Sequence, residues 1–294
     1  MFEKRVALVM TMAILLPGGC AGRKAVWKDG EGDTTTQATV DVAALVAKGD
    51  ESWGKRSDPQ AIRTALAEWE KAANADPKNL DVLVKLTRGY YFLADGYLRD
   101  KDKEYLDTMD KAVKWGEKAM VAASPEFDAK MRDGGKIPDA VKVVPKEGVP
   151  AMYWYASALG KWAKKKGFAV LLGQKDNVKA TMDRCLELEP DYFYGGPHRY
   201  FGAFYAVAPA FAGGDLEKSK VHFNKSLEIA PSYVGTKVLW AAELSTKEQD
   251  EDTFEKLLNE VLAAPDDSIP ELRPEIMVEK AKAKELLAQQ GDLF

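Results

Sequence analysis

Two histidines, two cysteines and scattered carboxylates are all that this 294-residue chain offers for nucleophilic or metal chemistry. His198 and His222 are isolated, and no His/Cys/Asp/Glu group has metal-ligand spacing. Cys185 lies in MDRCLELEP among apolar neighbours at helical spacing, the setting of a buried small hydrophobe rather than a reactive thiol. Glu51 beside Ser52 pairs an acid with a hydroxyl, but the companion motifs of a peptidoglycan-cleaving enzyme are absent. Gly213-Gly214-Asp215 lacks the Lys-Ser/Thr that follows a phosphate loop and sits where two helices need a turn. The chain therefore reads as a non-enzyme with no cofactor and no metal.

The aromatic residues carry more information. The sequence holds 7 Trp, 11 Tyr and 11 Phe, and they cluster. One group is Tyr90, Tyr91, Phe92 and Tyr97; a second is Tyr153, Trp154, Tyr155 and Trp162; a third runs from Tyr192 to Tyr205. Neighbouring side chains on a helix point in different directions, so one core cannot absorb every member of such a run. The surplus either packs between irregular repeats or at an oligomer interface, or it lines a groove or channel for a small ligand. On the second reading the lining residues are Tyr91, Tyr153, Trp154 and Tyr205, with His198 and Arg199 as polar contacts.

The elements that would position these residues are helices. From Val42 onward, helix-forming runs are cut by Pro, Gly and Asp-Pro signals, and no stretch sustains strand alternation. The fold class is all-α. In AIRTALAEWEKAANADP, Ala65, Trp69 and Ala72 stand at i, i+4 and i+7 before Pro77, the spacing of the second helix of a tetratricopeptide repeat. The pattern returns weakly at Ala112, Gly116 and Ala119 before Pro125, and clearly at Ser219, Phe223 and Ser226 before Pro231. A degraded copy surrounds Met182 and Cys185 before Pro190. The prolines at 77, 125, 190, 231 and 265 are separated by 48, 65, 41 and 34 residues, against ~34 in a regular array. Enlarged early units and a loop over 127–149 predict irregular helical hairpins stacked in a compact single domain, residues 41–294.

The first segment, MFEKRVALVMTMAILLPGGC, gives an address. Val6 to Leu16 is too short to cross ~30 Å of hydrocarbon but matches a signal-peptide core after a basic start. Cys20 follows small residues as in a bacterial lipobox, although Pro17 stands where leucine is usual. The expected organisation is a lipoprotein signal peptide over 1–19, acylation at Cys20 and a polar tether over 20–40. Ala21 and Gly22 give no acidic residue after the cysteine, which points to a periplasmic protein anchored in the outer membrane. With 42 basic and 46 acidic side chains, the chain has no electrostatic reason to bind nucleic acid, and membrane contact is expected only through the lipid.

These segments together resemble the TRAP transporter T-component family. The carriers are LVAKGDESWGKRSDPQAIRTALAEWEKAANADPKN, LTRGYYFLADGYL, VPAMYWYASALGKWA and DTFEKLLNEVL, with the closing EKAKAKELLAQQGDLF. The most specific is ELEPDYFYGGPHRYFGAFYAVAPAFAGGDLEKSKVHFNKSLEIAP, where a double-glycine turn, an aromatic helix, Pro209 and a GGD turn occur together. The resemblance implies an α-helical periplasmic lipoprotein with cryptic tetratricopeptide-like repeats. It also implies a homotrimer with a pore through each protomer, and no enzymatic activity. Its partner would be a periplasmic solute-binding P-component that delivers a ligand, apolar in some readings, to a membrane permease. The alternative is an outer-membrane lipoprotein scaffold whose helical repeats dock proteins in envelope assembly.

Overall fold

The computed structural model describes residues 23–28 and 40–294; Cys20, the leader and most of the expected tether lie outside these. No strand occurs among the described residues. Several helices start where the sequence supplies a side-chain cap for the unpaired N–H groups of the first turn. Asp41 accepts from Ala44 N to open α1 (Val42–Trp53), and Asp58, with Pro59 in the first turn, opens α2 (Pro59–Ala75). Asn79 caps α3 (Leu80–Tyr97), which turns directly into α4 (Asp102–Ala123). Further on come α5 (Pro125–Arg132), the single-turn α6 (Ile137–Ala140), α7 (Val149–Lys166) and α8 (Phe168–Leu188). Next are α9 (Tyr192–Val207) and α10 (Leu216–Ile229), the latter capped by Asp215 of the GGD turn. A short α11 (Gly235–Leu239) runs into a π-helical turn, Trp240–Ser245, and α12 (Thr246–Glu248). The chain ends with α13 (Glu251–Ala263), α14 (Arg273–Ala288) and α15 (Gln290–Leu293).

Neighbouring helices pair as hairpins: α1 with α2, α3 with α4, α7 with α8, α9 with α10, and α13 with α14. Successive hairpins stack through α2 on α3, α4 on α7 and α8 on α9, which makes the array solenoid-like. The small-aromatic-small positions provide the closeness of that packing. Ala65, Ala72, Ala112, Ala119, Ser219, Phe223 and Ser226 are fully buried, and Trp69 is 1% exposed. All five prolines named above fall at helix ends, beyond α2, α4, α8, α10 and α13. Cys185 is free and fully buried, and burial pushes its thiol far above the usual range.

The stretch expected as a loop over 127–149 is largely helical. Ser124 accepts from Phe127 N and Pro125 occupies the first turn, so α5 starts immediately after α4 ends. Phe127, Val141 and Val144 are buried, and these apolar anchors hold the short turns onto α4 and α8. Their irregular spacing carries no helical period.

Part of the expected tether is likewise held. Arg23 forms ion pairs with Asp110 and Glu117 of α4, and Val26 N donates to Glu117 at 3.1 Å. Trp27 is buried edge-on against Phe127, with ring centroids 5.8 Å apart. A large aromatic surface and a forked cation suffice to dock a segment of only six described residues.

Candidate functional site

Helix α9 begins in an unusual way. Phe193, Tyr194 and Gly195 have φ of 45°, 60° and 70°, a left-handed turn that only then passes into the right-handed helix at Gly196 and Pro197. Glycine takes this conformation freely, but each L-residue with a side chain costs roughly 1–2 kcal/mol there. Three groups hold the turn. Arg199 donates to the carbonyls of Tyr194 (2.9 Å) and Phe193 (3.2 Å), both pointing into the protein. The Tyr194 ring stacks on Tyr233 at 5.5 Å, and its hydroxyl donates to Glu271 at 2.7 Å. The Phe193 ring packs edge-on against Trp154 at 4.7 Å. Gly196 lies so close to the Tyr153 ring that a Cβ would stand 2.6 Å from it, which draws α9 onto α7.

Two cavities open around this turn. The first, about 310 Å³, lies among α3, α7, α9, α11 and α14. Arg88, Trp154, Phe193 and Tyr233 contribute to its wall, and so do the charged groups Asp95, Glu275 and Lys282. The second, about 270 Å³, is a groove among α7, α8 and α9. Ala156, Leu171, Val178, Ala203, Phe204 and Val207 make it mainly apolar. Phe168 and Leu172, 61% and 38% exposed, form its outer lip. Tyr91, Tyr153, Lys161, Arg199, Leu239 and Glu243 line both cavities, so the two meet on shared side chains. Volumes near 300 Å³ are at the small end for ligand sites.

The charges around the first cavity are arranged in pairs. Asp95 accepts from Lys161 at 2.9 Å and from Lys282 at 2.6 Å, and Lys282 also reaches Glu279 at 2.8 Å. Burial raises the Asp95 pKa, but the two ammonium groups outweigh it and hold the carboxyl far below its usual range. Glu275 is shared by Arg56 at 2.9 Å and Arg88 at 2.8 Å. The Arg88 guanidinium lies over Trp53, Trp154 and Phe193 at 5.1–5.5 Å from their centres. With Arg99–Glu285 at 2.7 Å, these bridges tie α14 to α3 across the cavity.

Arg199 differs from the other buried cations. It is 7% exposed and makes no salt bridge among the described residues; its partners are the two backbone carbonyls and the Tyr153 hydroxyl at 3.1 Å, while its guanidinium rests over the Tyr233 ring at 4.4 Å. Tyr91, packed on Trp154 at 5.4 Å, has its phenol pKa raised well above normal, first by burial and next by Asp95. It is therefore a neutral O–H donor.

A family model described as TRAP transporter T-component matches residues 58–294. The chain belongs to the TRAP transporter T-component family. Its role is thus that of an accessory component of an envelope transport system. No curated protein matches the chain. Among the described residues, no helix is long and apolar enough to cross a membrane and no group of His, Cys, Asp or Glu could hold a metal ion.

Four of the sequence-chosen lining residues come together. Tyr91, Tyr153, Trp154 and Arg199 all line the first cavity, and three of them the groove. His198 and Tyr205 face away from both. The helical repeat separates them: Gly196, Arg199, Tyr200, Ala203 and Val207 share the groove face of α9, while His198, Gly202 and Tyr205 turn towards α10. There the Nδ1 atoms of His198 and His222 are 3.0 Å apart, and the Tyr205 ring centre lies 5.5 Å from that of His222. Burial lowers the pKa of both histidines, that of His222 to about 4 with help from His198. Cys20 lies outside the described residues.

Arg88, Asp95, Lys161, Phe193, Tyr233, Glu275 and Lys282 were missed as wall residues. Their partners lie far apart in sequence, 187 residues for Arg88 with Glu275 and for Lys282 with Asp95. Spacing could not signal such pairs. The available hint was a lone Asp95 directly after the apolar run Tyr90 to Ala94.

Proposed function

We propose that this T-component receives a small ligand in the aromatic cavities around Arg199 and works with a periplasmic solute-binding P-component that serves a membrane permease. The single observation that carries the reading is the meeting of two cavities on Tyr91, Tyr153 and Arg199, in a chain of this family. Two adjoining cavities that share a wall suit hand-over of a ligand between proteins better than storage, and that wall offers binding groups rather than a nucleophile–base pair. The helical hairpins, tetratricopeptide-like in their small-aromatic-small pattern, provide the surfaces for a homotrimer and for the P-component. Acylation of Cys20 holds the protein to the periplasmic face of the outer membrane.

Size-exclusion chromatography of the domain mixed with the P-component encoded beside its gene tests this. The expected result is a co-eluting complex, with the domain alone running as a trimer. Absence of a complex at high micromolar concentration overturns the transport partnership. Intact mass of the membrane-extracted protein checks Cys20: acylation gives a mass beginning at residue 20 plus lipid, and secretion without a lipid gives a bare chain.

A further inference from the structure

The polar groups where the cavities meet are nearly all donors, and the acids nearby are already engaged. Asp95 is held by two lysines and Glu275 by two arginines. A cationic ligand would have to displace an internal partner. Arg199 presents the opposite case. Three of its hydrogen bonds are accounted for, all to uncharged oxygens, out of the five that a guanidinium can donate. The Tyr153 oxygen accepts from Arg199, and its own O–H has no acceptor among the described residues. Tyr91 makes no hydrogen bond among them either, and it lines both cavities. A buried guanidinium without an acid is an uncompensated charge in a medium that screens it poorly. From this cluster the groove leads outwards along Ala156, Ala203, Phe204 and Leu171 to the exposed rings and branches of Phe168 and Leu172.

We propose that Arg199, Tyr153 and Tyr91 bind the head group of a singly charged anionic amphiphile, a medium-chain monocarboxylate, whose hydrocarbon tail lies in the groove among α7, α8 and α9. One guanidinium charge matches one carboxylate charge, and Nε–H and one Nη1–H remain to donate. The groove supplies apolar contact for a tail and has too few free polar groups for a sugar or a nucleotide. This deepens the proposed function, since it rests on the cavities holding a ligand; it does not depend on which protein delivers it.

Isothermal titration of the domain with decanoate, decanol and decyltrimethylammonium tests the assignment. Decanoate is expected to bind at least about tenfold more tightly than decanol, the scale of one charge-assisted contact, and the cation is expected not to bind. Arg199→Met should lose at least tenfold in decanoate affinity and leave decanol unchanged, while Arg199→Lys recovers part of the loss. Arg199 also holds the left-handed turn, so each variant is checked by circular dichroism. Leu172→Glu at the exposed lip provides a second arm that leaves the turn intact, with decanoate binding expected to fall several-fold. Equal binding of decanoate and decanol, or an Arg199→Met protein that folds and binds decanoate normally, overturns the head-group site while leaving an apolar-ligand reading intact. An unaltered affinity in Leu172→Glu overturns the placement of the tail. No binding of any probe overturns the proposal, whereas the P-component complex is scored separately by co-elution.

Discussion

Helix α2 and the opening of α9 both bring aromatic rings against a neighbouring helix, and they do so by opposite means. In α2 the ring of Trp69 is sealed against Gly49, Gly89 and Trp53, its indole N–H donates to Asp50 at 3.1 Å, and the backbone is an ordinary helix begun by Asp58 and Pro59. In α9 the backbone takes a left-handed turn at Phe193 and Tyr194, and the rings are braced by Arg199, Tyr233 and Trp154 around open space. The first arrangement minimises local energy and leaves no vacancy. The second accepts local strain and retains two cavities that meet on Tyr91, Tyr153 and Arg199. Strain maintained by surrounding packing is the usual mark of a functional position, and here it coincides with the walls of two cavities.

Substitutions can separate the two roles. The largest loss of stability is expected for Trp69→Ala, about 3–5 kcal/mol, the range for emptying a buried aromatic site. Thermal unfolding should drop by about 10 °C, while ligand affinity measured below the transition stays as in the parent. If affinity falls with stability unchanged, α2 is part of the site and the contrast fails. Asp95→Asn comes next at about 2–3 kcal/mol, because it removes the buried anion that compensates Lys282 and, with more solvent screening, the half-exposed Lys161. This loss should be accompanied by altered binding, as Asp95 and both lysines line the first cavity.

A smaller cost of about 1–2 kcal/mol is expected for Gly195→Ala, which places a Cβ at φ 70° and 3.1 Å from Ser226. Its effect on binding should be disproportionate, since the turn aims the carbonyls that orient Arg199. A Gly195→Ala protein with parental affinity would show that the turn is structural only. The smallest effect belongs to the far face of α9. The His222 pKa of about 4 lies below the ~6.5 of an unfolded histidine, so the unfolded chain takes up the proton first. The pair's contribution is therefore complete above pH ~6.5 and is lost as pH falls towards 4. His222→Gln should flatten that part of the melting-temperature profile relative to the parent chain and leave binding at pH 7.5 unaltered.

Much of α2 and α10 was legible because their rules are local. A small residue every three or four positions around an aromatic, ended by proline, marks a close-packed helix whatever follows it in the chain, and Ala65, Trp69 and Phe223 are buried accordingly. The short turns between Pro125 and Val149 were less readable, since isolated apolar anchors such as Phe127 and Val144 have no period. At the site, cluster membership pointed to Tyr91, Tyr153, Trp154 and Arg199 but could not sort the faces of α9. The left-handed start fixes the helix phase, and His198 and Tyr205 consequently look towards α10.

By itself the sequence determined an all-α chain of irregular hairpins, the family and the absence of a recognisable catalytic motif. Capping, helix period and motif identity act over a few residues, so they can be read along a line. Only the tertiary structure decided that Arg199 has no acid partner among the described residues while Asp95 and Glu275 each have two cations. Charge compensation depends on distance in space, and α3 meets α14 across nearly two hundred residues of chain. The same closure turned surplus aromatics into walls around space, a property of packing that no stretch of sequence contains.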